Sequence, residues 1–379
     1  MRFAPFVDEM TPFLAMEVME RALVLSAEGR SIASLAVGEP DFDPPAEATA
    51  AVLRAIEQGL TRYTESRGLP ALRDAIAADC EARRGVSVDP ERVVVTTGTS
   101  PALSMVLRLL TGPGDEVLLP SPHYACYPNM IRACGATPVM VPTSAQDGYR
   151  IDLAAVRAAM TPRTRALLFA APANPTGAVQ PLDVVEGLAD LGVPLLSDEI
   201  YDGLLYDGAR VHSPLSLSDA CFVFDGFSKR YAMTGFRLGY AILPEAAVRP
   251  MQSMQQNLHI SASEFVQYAG IAALQHGEPH VAAMRATLAA RRDRLVTGLR
   301  SLGLGLPHPP AGAFYALADA RRFGDDSLSL AFEWLQEAGV AASPGADFGP
   351  LAEGHMRFSF AVSEQTIDTA LQRLGDYLS

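Results

Sequence analysis

The basic side chains of this chain are almost all guanidinium groups. Of its 30 lysine and arginine residues, only Lys229 is a lysine. A guanidinium is effectively never deprotonated, whereas a buried or crowded lysine amine can lose its proton and become a nucleophile. Such an amine forms a Schiff base with the carbonyl group of a cofactor or substrate. The alternative is a surface lysine retained by chance, and the residues around Lys229 decide between the two.

Lys229 lies in the segment from Ser228 to Tyr240, which reads S-K-R-Y-A-M-T-G-F-R-L-G-Y. This segment resembles the lysine segment of the class I aminotransferases, pyridoxal-phosphate (PLP) enzymes of fold type I in the aspartate aminotransferase-like superfamily. The resemblance extends from Gly38 to Arg357, with several separate motifs in the family's order. It implies that Lys229 forms a Schiff base with PLP and moves the α-proton of the substrate. The implied reaction transfers an amino group from an L-amino acid to a 2-oxo acid.

Polar residues after two predicted strands extend the resemblance. Asp198 follows an apolar run, and Tyr201 comes three residues later. An isolated aspartate there is usually a helix cap, but in the family's D-x-x-Y pattern it binds the pyridine nitrogen of PLP, and the tyrosine binds the phenolic oxygen. Asn174 opens an N-P-T-G motif, which in isolation is a turn, and is implied to bind the same oxygen. The resemblance also predicts cis bonds at Asn174–Pro175 and Ser121–Pro122.

A small-residue segment between a predicted strand and a predicted helix is a candidate anion site. Backbone N–H groups at the start of a helix bind anions. A simpler interpretation makes Ser100 an N-cap, with Pro101 as the first helical residue. The resemblance places the PLP phosphate among Gly98, Thr99, Ser100, Ser228 and Arg237.

Further positions are implied to stack on the cofactor or to bind the substrate. Tyr124 would stack on the pyridine ring, although a tyrosine packed at the sheet edge is the alternative. Tyr63 would reach the cofactor phosphate of a partner subunit, which implies a homodimer with shared active sites. Arg357 would clamp the substrate α-carboxylate, with Gly38 and Asn174 beside it. In isolation, Arg357 would be a strand arginine paired with a surface acid, and Gly38 would be an ordinary turn glycine.

The choice of substrate depends on where further cations lie. Aspartate-specific relatives carry a basic residue in the turn occupied here by Thr99-Ser100-Pro101, or receive an arginine from the partner near Asn257–Ser261. Neither stretch contains lysine or arginine. We therefore expect a neutral L-amino acid as donor and a 2-oxo acid such as 2-oxoglutarate as acceptor. Aspartate stays open, because Arg54, Arg67 or another arginine could enter the site. The N-terminal arm offers possible pocket-lining residues, Pro12, Phe13, Leu14 and Met16, although the helical spacing of Phe13 and Met16 is more often that of core residues.

The middle of the chain alternates short apolar runs with helical patterns. This predicts an α/β fold with a doubly wound, mostly parallel seven-stranded sheet. The predicted strands are Arg92–Thr96, Glu116–Pro120, Thr137–Val141, Ala166–Ala170, Val193–Ser197, Cys221–Asp225 and Gly239–Leu243. The predicted helices among them are Pro101–Leu110, Ala125–Cys134, Leu153–Met160 and Leu182–Leu191.

The pattern changes after a long predicted helix, Glu278–Leu302. Short strands and helices follow at Ala313–Leu317, Leu328–Ala338, Met356–Phe360 and Gln365–Tyr377. We expect a large PLP-binding domain at 45–277. A smaller α+β domain would combine the N-terminal arm, 1–44, with residues 278–379.

Composition argues against several classes of protein. The net charge of −13 disfavours binding to nucleic-acid phosphates. No apolar run is long enough to predict a membrane span, and the N-terminus lacks the pattern of a signal peptide. Cys80, Cys126, Cys134 and Cys221 lack metal-site spacing, so we expect no metal and reduced thiols in a cytoplasmic protein.

Other functions fit a similar fold. A PLP-dependent carbon–sulfur β-lyase would need the same Lys229, Asp198 and Arg357, but would release pyruvate and ammonia without an acceptor. A non-catalytic PLP-binding sensor would be expected to carry a DNA-binding head of roughly 60 residues before the fold, whereas the family pattern begins almost at Met1. An NAD dehydrogenase is disfavoured, because no G-x-G-x-x-G motif follows the first strand.

Overall fold

The structure is a computed structural model that describes residues 1, 3–218 and 220–379. Its helices in chain order are α1 (Leu14–Ala27), α2 (Ala46–Glu57), α3 (Pro70–Arg84), α4 (Thr99–Leu110), α5 (Cys126–Arg132), α6 (Leu153–Ala159), α7 (Leu182–Ala189), α8 (Glu245–Leu258), α9 (Glu264–His276), α10 (Glu278–Ser301), α11 (Ser327–Glu333) and α12 (Glu364–Leu378). Its strands are β1 (Ala33–Ser34), β2 (Val93–Thr96), β3 (Glu116–Ser121), β4 (Thr137–Pro142), β5 (Thr164–Ala170), β6 (Leu195–Asp198), β7 (Cys221–Gly226), β8 (Gly239–Ile242), β9 (Tyr315–Asp319), β10 (Val340–Ala341), β11 (Ser343–Pro344) and β12 (His355–Ser359).

Within these residues, seven strands form the main sheet, in the order β2-β8-β7-β6-β5-β3-β4. Neighbouring strands from β3 to β7 run parallel, and β8 is antiparallel to both β2 and β7. Each strand predicted for this sheet is present, with its ends displaced by at most two residues. The predicted mostly parallel α/β sheet is therefore confirmed.

Helices cover both faces of the main sheet. In β2, Val93 and Val95 belong to an apolar cluster with Ile76 of α3, whereas Val94 clusters with Leu103 of α4. Alternate side chains of a strand point to opposite faces, so α3 and α4 lie on opposite sides. Burial on both faces explains why these strands are near-continuous apolar runs in the sequence.

The later part of the chain forms a smaller α+β unit. Among the described residues, β11, β12 and β9 make an antiparallel sheet, and β1 pairs with β10. Part of the N-terminal arm packs here, since Val18 and Leu35 share an apolar cluster with Trp334 and Phe358.

Two predicted elements of this smaller unit differ in detail. The strand predicted from Ala313 begins at Tyr315, because Ala313 has a φ of 57°, outside the extended region. The helix predicted over Leu328–Ala338 is α11 followed by a widened π turn, Trp334–Ala338, which ends at Gly339 with a φ of 65°.

Both peptide bonds that the resemblance predicts to be cis, Ser121–Pro122 and Asn174–Pro175, are cis, as is Ala171–Pro172. In the part of the chain that the structure describes, no helix combines the length and apolarity needed to cross a membrane. The same residues contain no group of three His, Cys, Asp or Glu side chains that could hold a metal ion.

Candidate active site

A cavity of about 400 Å³ lies where the parallel strands of the main sheet end. Tyr124 and Asn174 follow β3 and β5, Asp198 ends β6, and Lys229 follows β7. Ligands bind at such carboxyl ends in open α/β sheets. The sequence-predicted residues that line the cavity are Gly38, Thr99, Ser100, Tyr124, Asn174, Asp198, Tyr201, Ser228, Lys229, Arg237 and Arg357.

The two remaining predicted site residues do not line this cavity. Gly98 lies just outside it, immediately before Thr99. Tyr63 is 80% exposed on the surface. Its implied contact with the cofactor of a partner subunit stays a prediction.

The Lys229 amine lies inside the cavity. Its Nζ donates a hydrogen bond to the carbonyl oxygen of Gly38 at 2.6 Å. Burial lowers the pKa of Lys229 to about 8; Glu39 opposes this shift, whereas Arg357 and Arg237 add to it. Because a neutral amine is the nucleophilic form, the cavity makes Lys229 more reactive than an ordinary lysine near neutral pH.

The pKa of Lys229 can be measured by NMR without overlap from other lysines. The chain has one lysine, so labelling with 15N-lysine gives a single Nζ signal. In the cofactor-free protein, we expect Nζ to titrate near pH 8, well below the ordinary value of 10.5. The amine is protonated below this midpoint and neutral above it, so the rate of PLP incorporation should rise through the same pH range. The protein unfolded in urea supplies the reference titration. A folded-state midpoint at or above about 10, the value of an unperturbed lysine, would show that the cavity does not acidify Lys229.

Asp198 is a buried carboxyl group with a partner that the sequence analysis missed. The hydroxyl of Tyr127 donates to Oδ2 at 2.7 Å, and the backbone N–H of Ile200 donates to Oδ1 at 3.2 Å. Burial raises the pKa of Asp198 to about 6, and the hydrogen bond from Tyr127 acts in the opposite direction. A protonated ring nitrogen beside this group would favour its ionised form. The three-residue spacing of Tyr124 and Tyr127, at the start of a helix, was the available signal for Tyr127.

The start of α4 forms one end of the cavity, where Thr99 and Ser100 line it. Gly98 is the N-cap, with a φ of 112°, so Thr99 and Ser100 lie in the first turn. Ser100 is therefore not the N-cap that the simpler interpretation placed there, because the helix begins at Thr99, two residues before Pro101. A Cβ at Gly98 would lie 2.9 Å from Nη2 of Arg237, so the guanidinium packs directly on this turn. Backbone N–H groups, hydroxyls and a guanidinium together suit a phosphate group.

Arg357 is held rigidly at another part of the cavity wall. Its Nη1 donates to Oδ1 of Asn174 at 3.0 Å, and its Nη2 donates to Ala36 O at 2.8 Å and Ser343 Oγ at 2.9 Å. Its Nε is buried without a hydrogen-bond partner among the described residues. The guanidinium is thus fixed in orientation while donor capacity remains for a ligand carboxylate.

Tyr201 has a second tyrosine as its partner. Its hydroxyl lies 2.9 Å from that of Tyr315, which also lines the cavity. Sequence analysis missed Tyr315, because its position in a predicted strand does not show which side chain it meets. The ring of Tyr315 also lies under Arg357, with the guanidinium carbon 4.4 Å from the ring centroid. Tyr315 therefore contacts residues of both the implied cofactor and substrate sites.

The N-terminal arm supplies an apolar wall. Of the four residues named as possible lining, Phe13 and Met16 line the cavity, together with Met19, whereas Pro12 and Leu14 do not. The carboxylate of Asp347 accepts hydrogen bonds from the backbone N–H groups of Leu14 and Ala15, both at 3.0 Å, and so fixes the start of α1.

Few charges line the cavity. Among the described residues, its cationic side chains are Lys229, Arg237 and Arg357. Arg54 lines a different groove, and Arg67 is paired with Glu91 at 2.6 Å. Neither Arg54 nor Arg67 lines the cavity in this structure.

These features fit PLP. A buried carboxyl group suits the ring nitrogen, Asn174 and Tyr201 suit the phenolic oxygen, and the turn at Gly98 suits the phosphate. Arg237 packs so closely on Gly98 that a Cβ there would lie 2.9 Å from its Nη2, so the turn needs glycine at this position. The acidified amine of Lys229 suits the carbonyl carbon.

Comparison with known proteins gives the same result. The sequence profile of the family described as "Aminotransferase class I and II" matches residues 30–374. The chain is 40% identical to the aspartate/prephenate aminotransferase of Thermus thermophilus, over 98% of this chain and 97% of that protein. It is 35% identical to the arginine–pyruvate transaminase AruH of Pseudomonas aeruginosa, over 99% and 98% of the two chains.

A solved structure agrees in fold. The aspartate aminotransferase of Thermus thermophilus with maleate superposes with a TM-score of 0.94 at 39% identity, covering 99% of this chain and 100% of that one. These relatives are transaminases, so the comparisons do not favour the alternative of a β-lyase or a sensor. The chain belongs to the class I and II aminotransferases and is a PLP-dependent transaminase.

Proposed function

We propose that Lys229 is the catalytic residue of this transaminase. When bound, PLP supplies an electron-accepting ring that makes the α-proton of an amino acid acidic. Lys229 would take this proton on Nζ and return it to the cofactor, acting first as base and then as acid. The observation that carries this proposal is the cavity position of Nζ, 2.6 Å from Gly38 O, with a pKa near 8.

The remaining predicted residues would hold the cofactor. Asp198 would bind the ring nitrogen, Asn174 and Tyr201 would bind the phenolic oxygen, and Tyr124 would stack on the ring. The phosphate would be bound by Gly98, Thr99, Ser100, Ser228 and Arg237. In support, the described structure brings these residues to the cavity or, for Gly98, to its edge.

Arg357 would bind the α-carboxylate of the substrate, with Gly38 and Asn174 beside it. A fixed guanidinium can make paired hydrogen bonds to a carboxylate and so orient the amino acid. The hydrogen bond from Nη1 to Asn174 leaves the amide nitrogen of Asn174 available for the cofactor oxygen. This single contact supports the dual role proposed for Asn174.

The amino-group donor would be a neutral, apolar L-amino acid, with a 2-oxo acid such as 2-oxoglutarate as acceptor. Phe13, Met16 and Met19 form an apolar wall, and Thr99-Ser100 carries no cation at the start of α4. A substrate carboxylate facing such a wall would lose its hydration without gaining an ionic partner. The names of the relatives do not settle the donor, because they include aspartate, prephenate and arginine.

A panel of donors with 2-oxoglutarate tests this proposal. We expect kcat/KM for the best of methionine, leucine and phenylalanine to exceed that for aspartate by at least about 10-fold. Phe13→Ala should reduce kcat/KM for the apolar donors by a similar factor. The matched control, Leu23→Ala, changes an exposed residue of α1, the helix that Phe13 precedes, and should have no effect.

Two other results would change the assignment in different ways. A preference for aspartate would overturn the neutral donor and leave the transaminase intact. Pyruvate and ammonia formed from cysteine-type donors without an acceptor would instead indicate β-elimination.

The proposed enzyme is a cytoplasmic homodimer with shared active sites, to which Tyr63 of each subunit contributes. The exposure of Tyr63 supports this, since a tyrosine that is 80% exposed is free to contact another chain. We also propose that the large PLP-binding domain spans 45–277, and that 1–44 and 278–379 form the smaller domain.

A further inference from the structure

Tyr201 and Tyr315 form a buried pair of phenols. They are 5% and 1% exposed, and their hydroxyl oxygens lie 2.9 Å apart. Burial raises the pKa of both phenols, so each keeps its proton near neutral pH. The two neutral hydroxyls carry two protons, and the hydrogen bond between them takes only one of these. The other proton remains available to a group in the cavity.

The surroundings indicate which hydroxyl donates within the pair. The guanidinium of Arg357 lies over the ring of Tyr315, 4.4 Å from its centroid. A cation on a phenol ring makes its hydroxyl a better proton donor. Burial raises the pKa of both phenols and Arg357 opposes the rise at each, but it is the ring of Tyr315 that the guanidinium contacts. Tyr315 is therefore the stronger donor of the pair.

We infer that Tyr315 is a positioning residue for the transaminase: its hydroxyl donates to Tyr201 and so directs the hydroxyl proton of Tyr201 into the cavity. The inference rests on the proposed role of Tyr201 as a donor to the phenolic oxygen of PLP. A hydroxyl that accepts one hydrogen bond is a stronger donor in the next. Tyr315 thereby strengthens a contact to the cofactor that it does not itself make.

Gly38 leaves room for the hydroxyl of Tyr315. A Cβ at Gly38 would lie 2.5 Å from this oxygen, so a larger residue would displace it. The carbonyl of the same glycine accepts the hydrogen bond from Lys229. One loop residue thus contacts both the reactive amine and the proposed positioning hydroxyl.

Tyr315→Phe tests the inference, because phenylalanine keeps the ring under Arg357 and removes only the hydroxyl. A hydrogen bond to the phenolic oxygen favours the less protonated form of the bound cofactor. The pH midpoint of its visible absorption change should therefore rise by about 0.5–1 unit in the variant. The affinity of the apoprotein for PLP and kcat should each fall by about 3–10-fold, while KM for the amino acid stays within about 2-fold.

A matched control removes a comparable hydroxyl outside the cavity. Tyr206 is also buried, and its hydroxyl donates to the backbone oxygen of Ala313 at 2.6 Å. Tyr206→Phe should lower thermal stability without moving the absorption midpoint. The ionisable groups that interact with the tyrosine pair or with Lys229 are unchanged in both variants: Tyr124, Glu39, Asp198, Arg237 and Arg357.

A double variant separates the inference from the proposed function. Tyr201→Phe should raise the midpoint at least as much as Tyr315→Phe, and the double variant should match Tyr201→Phe alone. Additive shifts, or an unchanged midpoint in Tyr315→Phe, would show that Tyr315 does not act through Tyr201. An unchanged midpoint in Tyr201→Phe would overturn the role of Tyr201 itself, and the inference with it.

Discussion

Replacing Lys229 with alanine should abolish transamination, with kcat reduced by at least about 10⁴-fold, the upper range of general acid–base contributions. Alanine removes both the amine that reacts with the carbonyl and the group that carries the α-proton. No second lysine exists in the chain to take over either task. The other cavity contacts remain, so some PLP should still bind without a covalent bond. Formation of the 2-oxo acid product measures the loss.

Borohydride reduction followed by peptide mapping locates the covalent bond. In the wild type, the visible band should disappear on reduction, with the cofactor mass on the peptide that contains Lys229. Lys229→Arg is the matched control, because it keeps a positive charge of similar length but cannot form the imine. Activity near the wild-type level in either variant would show that Lys229 is not the catalytic residue.

The sequence predicted the main sheet because its strands are buried on both faces. Such strands are near-continuous apolar runs, and each polar residue that follows one comes to the same edge of the sheet. Asn174 and Asp198 were predictable in this way. The family resemblance then supplied roles that spacing alone left open between turns, caps and ligands.

The pattern of apolar runs did not predict which side chains from distant elements form hydrogen bonds with the site residues. Tyr127 reaches Asp198 across 71 residues of sequence, and Tyr315 reaches Tyr201 across 114. Local periodicity reports which face of an element is buried, but not which side chain of another element it meets. Tyr315 appeared in the sequence as an ordinary member of a predicted strand, and the spacing of Tyr127 from Tyr124 did not show that Tyr127 meets Asp198.

A buried group of charges next to the active site was missed for the same reason. Arg84, at the end of α3, lies 2.9 Å from Glu199, 3.1 Å from Asp202 and 2.7 Å from Asp225. Arginines in the last turn of a helix are usually surface residues that complement the helix dipole. Here the tertiary fold buries Arg84 against the ends of β6 and β7. Because Glu199 directly follows Asp198, this ion pair holds the chain next to the proposed cofactor ligand.

Asp198→Asn should have the second largest effect, a loss in kcat of about 10²–10³-fold, the size found for a single well-placed electrostatic contact. Asparagine keeps the size of the side chain but carries no charge to stabilise a protonated ring nitrogen. The electron-accepting power of the ring depends on that proton. PLP binding should weaken much less than kcat, because the phosphate and phenolic contacts are unchanged. Steady-state kinetics and cofactor titration of the apoprotein measure the two effects separately.

The control for Asp198 is its hydrogen-bond partner. Tyr127→Phe leaves the charge of Asp198 unchanged and removes only the hydrogen bond of 2.7 Å to its Oδ2. The value of kcat should therefore fall by only about 3–10-fold. A PLP analogue with a methylated ring nitrogen has a permanent positive charge and should restore part of the activity of Asp198→Asn. The contrary outcome is that Asp198→Asn keeps more than about a tenth of the wild-type kcat, a much smaller loss than a single well-placed electrostatic contact would give. That result would show that the ring nitrogen does not depend on this carboxylate. Asp198 would then serve mainly to satisfy Tyr127 and the N–H of Ile200.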